Sequence, residues 1–294
     1  MGVRGFYHYS KGFQKEINNK IEYRVGIDAL SLLFKYHGDI KKIFDFLKPI
    51  LHNKLLFVFD GKAPESKTNE IQKRKKSHDK IQEKIQYFKD WLKADINEET
   101  KKMFRENIEK LEYDSWMLTY EIRETFKNYL ILNNYTFIKS IQEADAVLID
   151  LYYSNYIDII LSNDMDFLIA GIEQLWISEK DTIKEILLQD ILNHEEINKE
   201  QLKEVAILCG IDNNHICNID DVSKAINMIR HYGSIESIII HNKDKNISIV
   251  LPNDNYISNV KKRYYPNKIE PFINVKLEHI MYLEQFQYLN LNIK

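Results

Sequence analysis

Short apolar runs that stop at an aspartate recur along this chain: Val25-Gly26-Ile27-Asp28, Leu55-Leu56-Phe57-Val58-Phe59-Asp60 and Ile159-Ile160-Leu161-Ser162-Asn163-Asp164. Runs of this length with polar residues at their ends read as buried strands of a parallel sheet. Strands are expected at 23–28 and 55–60, with helical patterns over 29–52 between them. From 66 to 132 the pattern changes: there is neither Gly nor Pro, Lys and Glu are dense, and Ile81, Ile85, Phe88, Trp91 and Leu92 recur at helical spacing. Two long helices broken near Ala94-Asp95-Ile96-Asn97 are expected there. Alternation resumes with strands at 135–138, 157–161 and 175–178 and a helix over 142–153. After about 195 the chain reads as helical, with Ile219-Asp220-Asp221 turning into a helix over Val222–His231. The fold class is therefore α/β, a mostly parallel sheet flanked by helices. Residues 1–200 would form its core, 62–132 a helical insertion in that core, and 201–294 a helical C-terminal region.

The bulk numbers narrow the class without naming it. With 294 residues and 44% hydrophobic content the chain can bury a sizeable core, and a net charge of −3 does not by itself announce a polyanion partner. Cys209 and Cys217 give no disulfide framework, and His215 between them does not complete a usual zinc spacing. The start, Met1-Gly2-Val3-Arg4-Gly5-Phe6, lacks a signal peptide's apolar run, and no stretch is long enough to cross a bilayer. A soluble intracellular protein, nuclear or cytoplasmic, is expected.

The candidate chemistry lies in the acids. Ligands of an open α/β sheet bind beyond the carboxyl ends of its strands, so Asp28, Asp60 and Asp164 should reach one crevice. Glu143, Asp145, Asp166 and Asp212 stand close to predicted strand ends or helix starts. Each has a bland reading as a helix cap or an acidic first turn. Together they would repel one another unless a hard divalent cation sat among them. Beyond the Asp60 strand end, Lys62, Lys67, Lys73, Arg74, Lys75, Lys76 and Lys80 face only Glu65, Glu70 and Asp79. Such a run is commonly a solvated helix face, yet beside an acidic metal site it suits a phosphodiester. No Gly-x-Ser-x-Gly elbow, Walker loop or dinucleotide fingerprint competes with that reading.

In order and spacing the motifs resemble the flap endonuclease, or XPG-like, 5′ nucleases. They are Met-Gly-Val-Arg-Gly, Gly26-Ile27-Asp28-Ala29, Val58-Phe59-Asp60-Gly61-Lys62-Ala63-Pro64, Glu143-Ala144-Asp145-Ala146, Ser162-Asn163-Asp164-Met165-Asp166 and Leu208-Cys209-Gly210-Ile211-Asp212. The resemblance implies a PIN-like core, a helical arch over 62–132 and a C-terminal helix–two-turn–helix-like element that binds DNA. It implies two Mg²⁺ ions, with Mn²⁺ a possible substitute, on Asp28, Asp60, Glu143, Asp145, Asp164, Asp166 and Asp212. Lys67 and Arg74 match basic residues that contact the scissile phosphate, Phe34 an aromatic that stacks on a base, and Gly2 the amino terminus beside the site. A buried core aromatic is the other reading of Phe34. Asp145 replaces the family's second Glu, and Asn218-Ile219-Asp220-Asp221 replaces a Gly-Ile-Gly turn, although Lys224 keeps a substrate-binding position in the helix that follows. The implied activity is two-metal cleavage of branched or 5′-ended DNA, as a 5′-flap endonuclease with possible 5′-exonuclease action. The alternatives are a 5′–3′ exonuclease on DNA or RNA ends and a non-catalytic nucleic-acid-binding protein. No sliding-clamp-binding tail is recognisable.

Overall fold

The computed structural model describes residues 2–17, 21–61, 68–94, 96–141, 143–210, 219 and 221–245. Among them seven strands form one sheet: β1 (Gln14–Glu16), β2 (Arg24–Asp28), β3 (Lys54–Phe59), β4 (Thr136–Lys139), β5 (Ile159–Leu161), β6 (Gln174–Glu179) and β7 (Thr182–Leu187), in the order β1-β7-β6-β5-β2-β3-β4. The five strands from β6 to β4 pair in parallel, while β7 pairs antiparallel with both β6 and β1.

The apolar runs are continuous because both faces of the parallel strands are covered. Along β3, Leu55, Phe57 and Phe59 enter one core with Phe126 and Leu130, whereas Leu56 and Val58 enter the other with Leu148 and Ile160. Side chains alternate across a strand, so a single run supplies two cores. The first face carries α2 (Ala29–Lys35), α3 (Ile40–Leu47) and α6 (Tyr120–Leu132). The second carries α1 (Phe6–Ser10), α7 (Ala144–Tyr153), α8 (Asp166–Ile169) and α9 (Leu188–Glu195). On the same side lie α10 (Lys199–Cys209), α11 (Val222–Tyr232) and α12 (Ile235–Lys245). At Gly26 in β2 a Cβ would come within 2.5 Å of Ile157 Cδ1 and 2.7 Å of Leu148 Cδ2, so glycine is what lets α7 lie directly on the strand.

The region from 66 to 132 contains three helices rather than the expected two. The first break is where it was expected, between α4 (Thr68–Trp91) and α5 (Glu98–Asp114), where Asn97 Oδ1 accepts the Thr100 N–H at 2.8 Å. The second falls at 115–119 with neither Gly nor Pro: Ser115 ends α5, and Thr119 Oγ1 accepts the Ile122 N–H at 3.3 Å to start α6. Phe126 and Leu130 of α6 are fully buried on the sheet, so the pair that stands away from it is α4 and α5. These two pack through Ile85 and Ile108 and through the rings of Phe88 and Phe104, 5.1 Å apart. The strands β1 and β7, not expected from the pattern, widen the sheet at its antiparallel edge.

Candidate metal and nucleic-acid site

After β2 the chain proceeds to β3 and β4 on one side, then returns to place β5 on β2's other side. The carboxyl ends of β2 and β5 therefore flank the point where strand order reverses, which is where an open sheet leaves a crevice. Asp28 ends β2 and also caps α2: its Oδ1 accepts the Ser31 N–H at 3.0 Å and its Oδ2 accepts the Ser162 hydroxyl at 3.0 Å. The cap reading and the site reading of Asp28 thus hold together. Ser162 Oγ in turn accepts the Asp164 N–H at 3.1 Å, so one buried hydroxyl ties the ends of β2 and β5.

Asp164 Oδ1 accepts the Asp166 N–H at 3.0 Å, and Asp166 Oδ1 accepts the Val3 N–H at 3.0 Å. These bonds fasten the N-terminal segment to the crevice. Gly2 has φ +94° and lies so near Asp164 and Asp166 that a Cβ there would strike both carboxylates. From the other side, Asp60 follows β3 and its Oδ1 accepts the Ala144 N–H, the first of α7, at 2.6 Å. Glu143 sits at the N-cap of α7 without a side-chain cap bond, and Asp145 lies in the first turn.

The electrostatics tie these acids together. Burial, then the charges of Asp164, Asp28, Asp60 and Glu143, hold the Asp145 carboxyl well above the usual range. Asp28 is pushed up to about 6, first by burial and then by Asp60 and Asp164, against the lowering effect of its bonds from Ser31 and Ser162. Such repulsion is relieved by protons or by a cation. All-carboxylate oxygen donors without His or Cys suit a hard ion such as Mg²⁺ or Mn²⁺ better than zinc. Among the described residues, no three His, Cys, Asp or Glu side chains converge closely enough to hold an ion in their present rotamers. Several of these carboxylates face backbone N–H groups instead: Asp28 faces Ser31, Asp60 faces Ala144, Asp164 faces Asp166, and Asp166 faces Val3. The donor chemistry fits the ion, while its coordination geometry is not formed.

Of the other expected residues, Arg74 is exposed on α4 and Lys224 is exposed on α11, the helix whose N-cap is Asp221. Phe34 is 47% exposed at the end of α2, edge-on to Trp116 at 5.9 Å, so the buried-core alternative does not hold. Cys209 packs in the apolar core. Asp212, Lys67, His215, Cys217, Asn218 and Asp220 lie outside the described residues. Sequence reading missed Ser162 and the Val3 N–H. Its only signal for Ser162 was a short hydroxyl between a strand end and an acid.

Comparison with known proteins follows the same residues. The XPG I-region family model matches residues 134–212, a span that contains Glu143, Asp145, Asp164, Asp166 and Asp212. Flap endonuclease 1 of Entamoeba histolytica is 29% identical over 216 residues, covering 71% of this chain and 53% of that protein. That of Sulfolobus acidocaldarius is 31% identical over 204 residues, covering 63% and 54%. The chain spans about half the length of these two curated relatives. Among solved structures, the catalytic core of Rad2 in complex with DNA substrate aligns with TM-score 0.63 at 16% identity, over 90% of this chain and 86% of that one. The Holliday junction-resolving enzyme GEN1 in complex with product DNA and Mg²⁺ aligns with TM-score 0.60 at 15% identity, over 97% and 68%. Flap endonuclease-1 from Methanococcus jannaschii aligns with TM-score 0.54 at 17% identity, over 85% and 81%. The fold is the PIN-like nuclease fold of these neighbours, as expected, and the resemblance to the flap endonuclease and XPG-like group is borne out.

Proposed function

We propose that this chain, a relative of the flap endonuclease and XPG-like 5′ nucleases, is a structure-specific 5′ nuclease that hydrolyses phosphodiester bonds of branched DNA at a 5′ single-strand/duplex junction. The observation that carries the reading is the gathering of strand-end and helix-start acids at the sheet's switch point, where Asp145 feels Asp164, Asp28, Asp60 and Glu143 together. Asp28, Asp60, Glu143, Asp145, Asp164, Asp166 and Asp212 would hold two Mg²⁺ ions. Such ions, when bound, supply an activated water, neutralise the phosphate and stabilise the leaving oxygen.

The remaining work falls to the chain's own groups. Ser162 and the backbone N–H groups of Ser31, Ala144, Asp166 and Val3 orient the carboxylates before any substrate arrives. Lys67 and Arg74, seven residues apart in the sequence, neutralise the phosphates beside the reacting one. Phe34, exposed at the end of α2, offers a ring to the base next to the junction. Lys224 meets the duplex backbone from α11. The C-terminal region beyond 201 serves as the duplex-binding part and α4 with α5 as the arch.

The test is cleavage of end-labelled 5′-flap DNA, blunt duplex, single-stranded RNA and an intact four-way junction, each with Mg²⁺ and with EDTA. Metal-dependent release of the whole flap supports the reading. Stepwise mononucleotide release, RNA-only cutting, or equal cutting of flaps and intact junctions contradicts it.

A further inference from the structure

Helix α2 leads away from the acidic site and is held at both ends. Asp28 caps its start from the end of β2. At its other end Phe34 is exposed, while the next residue, Lys35, is half-buried. The Lys35 ammonium donates to Ser178 Oγ at 2.8 Å and to the Lys180 carbonyl oxygen. Both acceptors lie at the turn of the β6–β7 hairpin, where Lys180 takes a left-handed φ of +51°. The same ammonium stands 5.3 Å from the centre of the Tyr36 ring and 5.1 Å from that of Phe46.

That end of the hairpin is itself tied to the acids. Asn163, the residue before Asp164, clasps Ser178 with two bonds: its Oδ1 accepts the Ser178 N–H at 2.7 Å, and its Nδ2 donates to the Ser178 carbonyl at 3.1 Å. Glu179 accepts the Tyr7 hydroxyl of α1 and stands 3.7 Å from Lys11 Nζ. The hairpin is thereby fixed both to the strand end that carries Asp164 and to the N-terminal segment whose Val3 N–H binds Asp166. Lys35 joins the outer end of α2 to this frame.

Stability gives little reason for a lysine here. Burial lowers its pKa, against the raising pull of Asp181 and then Glu179. An apolar side chain of similar length would fill the space beside Tyr36 and Phe46 without the cost of drying an ammonium. What the ammonium adds is direction, through two bonds to one hairpin turn. We propose that Lys35 is a positioning residue: by bridging α2 to the β6–β7 hairpin it fixes the Phe34 ring relative to the acids, and so sets which phosphate is cut. Phe34 lies six residues from Asp28, about 9 Å along the helix, so a tilt of about 20° would carry it about 3 Å. That is close to the 3.4 Å rise of one nucleotide along a strand. The inference rests on the proposed nuclease function and on the place given there to Phe34.

The test compares the full wild-type chain with Lys35→Met, Ser178→Ala and the double variant. Single-turnover cleavage of an end-labelled 5′ flap in Mg²⁺ is resolved to the nucleotide. Wild type should cut at one phosphate. Lys35→Met should cut about 10- to 100-fold more slowly and scatter the cuts over neighbouring phosphates, at an unchanged Mg²⁺ requirement. Ser178→Ala should shift both in the same direction by less, and the double variant should be no worse than Lys35→Met, since the hydroxyl acts through the ammonium. In EDTA, 2-aminopurine placed at the base next to the junction should be quenched by wild type and brighter with Lys35→Met. A single cut site at the wild-type rate in Lys35→Met would overturn the inference. Slower cutting confined to the wild-type phosphate, with a lowered melting temperature, would overturn it too and leave Lys35 a packing residue. If the wild-type chain cut nothing while Lys35→Met lost the quenching, the nuclease reading would fail and the positioning role would stand. If wild type cut nothing and the quenching were equal, both would fall.

Discussion

Replacing Asp28 by Asn should stabilise the cation-free protein while destroying its activity. A buried carboxyl with Asp60 and Asp164 for neighbours is costly to ionise, and its rise from 3.8 to about 6 expresses that cost. An acid whose pKa is higher in the folded state binds its proton more tightly there. Stability is therefore greatest below about pH 4 and falls as pH rises from the unfolded value through about 6. At neutral pH the penalty is about 3 kcal/mol at most. Asn keeps the shape and can still accept the Ser31 N–H that caps α2, so the variant should recover about 1–3 kcal/mol, seen as a Tm about 2–6 °C higher at pH 7.5 in EDTA. At pH 4 the two proteins should melt together, because the wild-type carboxyl is then protonated. Mg²⁺ should raise the wild-type Tm and leave the variant's nearly where it was. Thermal denaturation at both pH values, with and without Mg²⁺, reads all of this. A variant less stable than wild type at pH 7.5 in EDTA, or a difference that did not change with pH, would refute the reasoning.

Other substitutions probe other links. Ser162→Ala removes the hydroxyl shared by Asp28 and Asp164, so the Mg²⁺ concentration for half-maximal cleavage should rise about 10- to 100-fold; an unchanged Mg²⁺ titration would show the hydroxyl to be incidental. The same change removes a bond that lowers the Asp28 pKa, so the acid limb of the pH–rate profile should move to higher pH. Phe57→Ala empties a fully buried ring site between β3 and α6 and should cost about 3–5 kcal/mol in urea unfolding. Lys67→Ala or Arg74→Ala should slow single-turnover cleavage far more than it weakens DNA binding, and a defect confined to binding would remove both from the reacting phosphate.

Much of the acidic site was legible because two rules acted together. An apolar run that halts at an acid marks a strand's end, and a parallel sheet aligns such ends, so Asp28, Asp60 and Asp164 could be brought together from distant stretches. The edge of the sheet was not legible. β1 is three residues of Gln-Lys-Glu with no apolar side chain to reveal it, and β7 alternates only weakly. The start of α6 was hidden because Ser115 and Thr119 break the helix by capping, without the Gly or Pro that the eye seeks. By spacing alone Trp91 falls in with Ile81, Ile85, Phe88 and Leu92, because helical spacing tolerates a wide face. The structure turns it outward. The bridge through Ser162 is a tertiary fact, and no local pattern announces which carboxylate a hydroxyl will find.

The most direct measurement is cleavage of an end-labelled 5′-flap substrate by the wild-type chain and by Asp164→Ala, with Mg²⁺ and with EDTA. The expected result is release of the intact flap by the wild-type protein in Mg²⁺ alone, and loss of that release in the variant although it still binds the substrate. Cutting in EDTA, or an Asp164→Ala protein that cuts at the wild-type rate, would contradict a nuclease built on these acids.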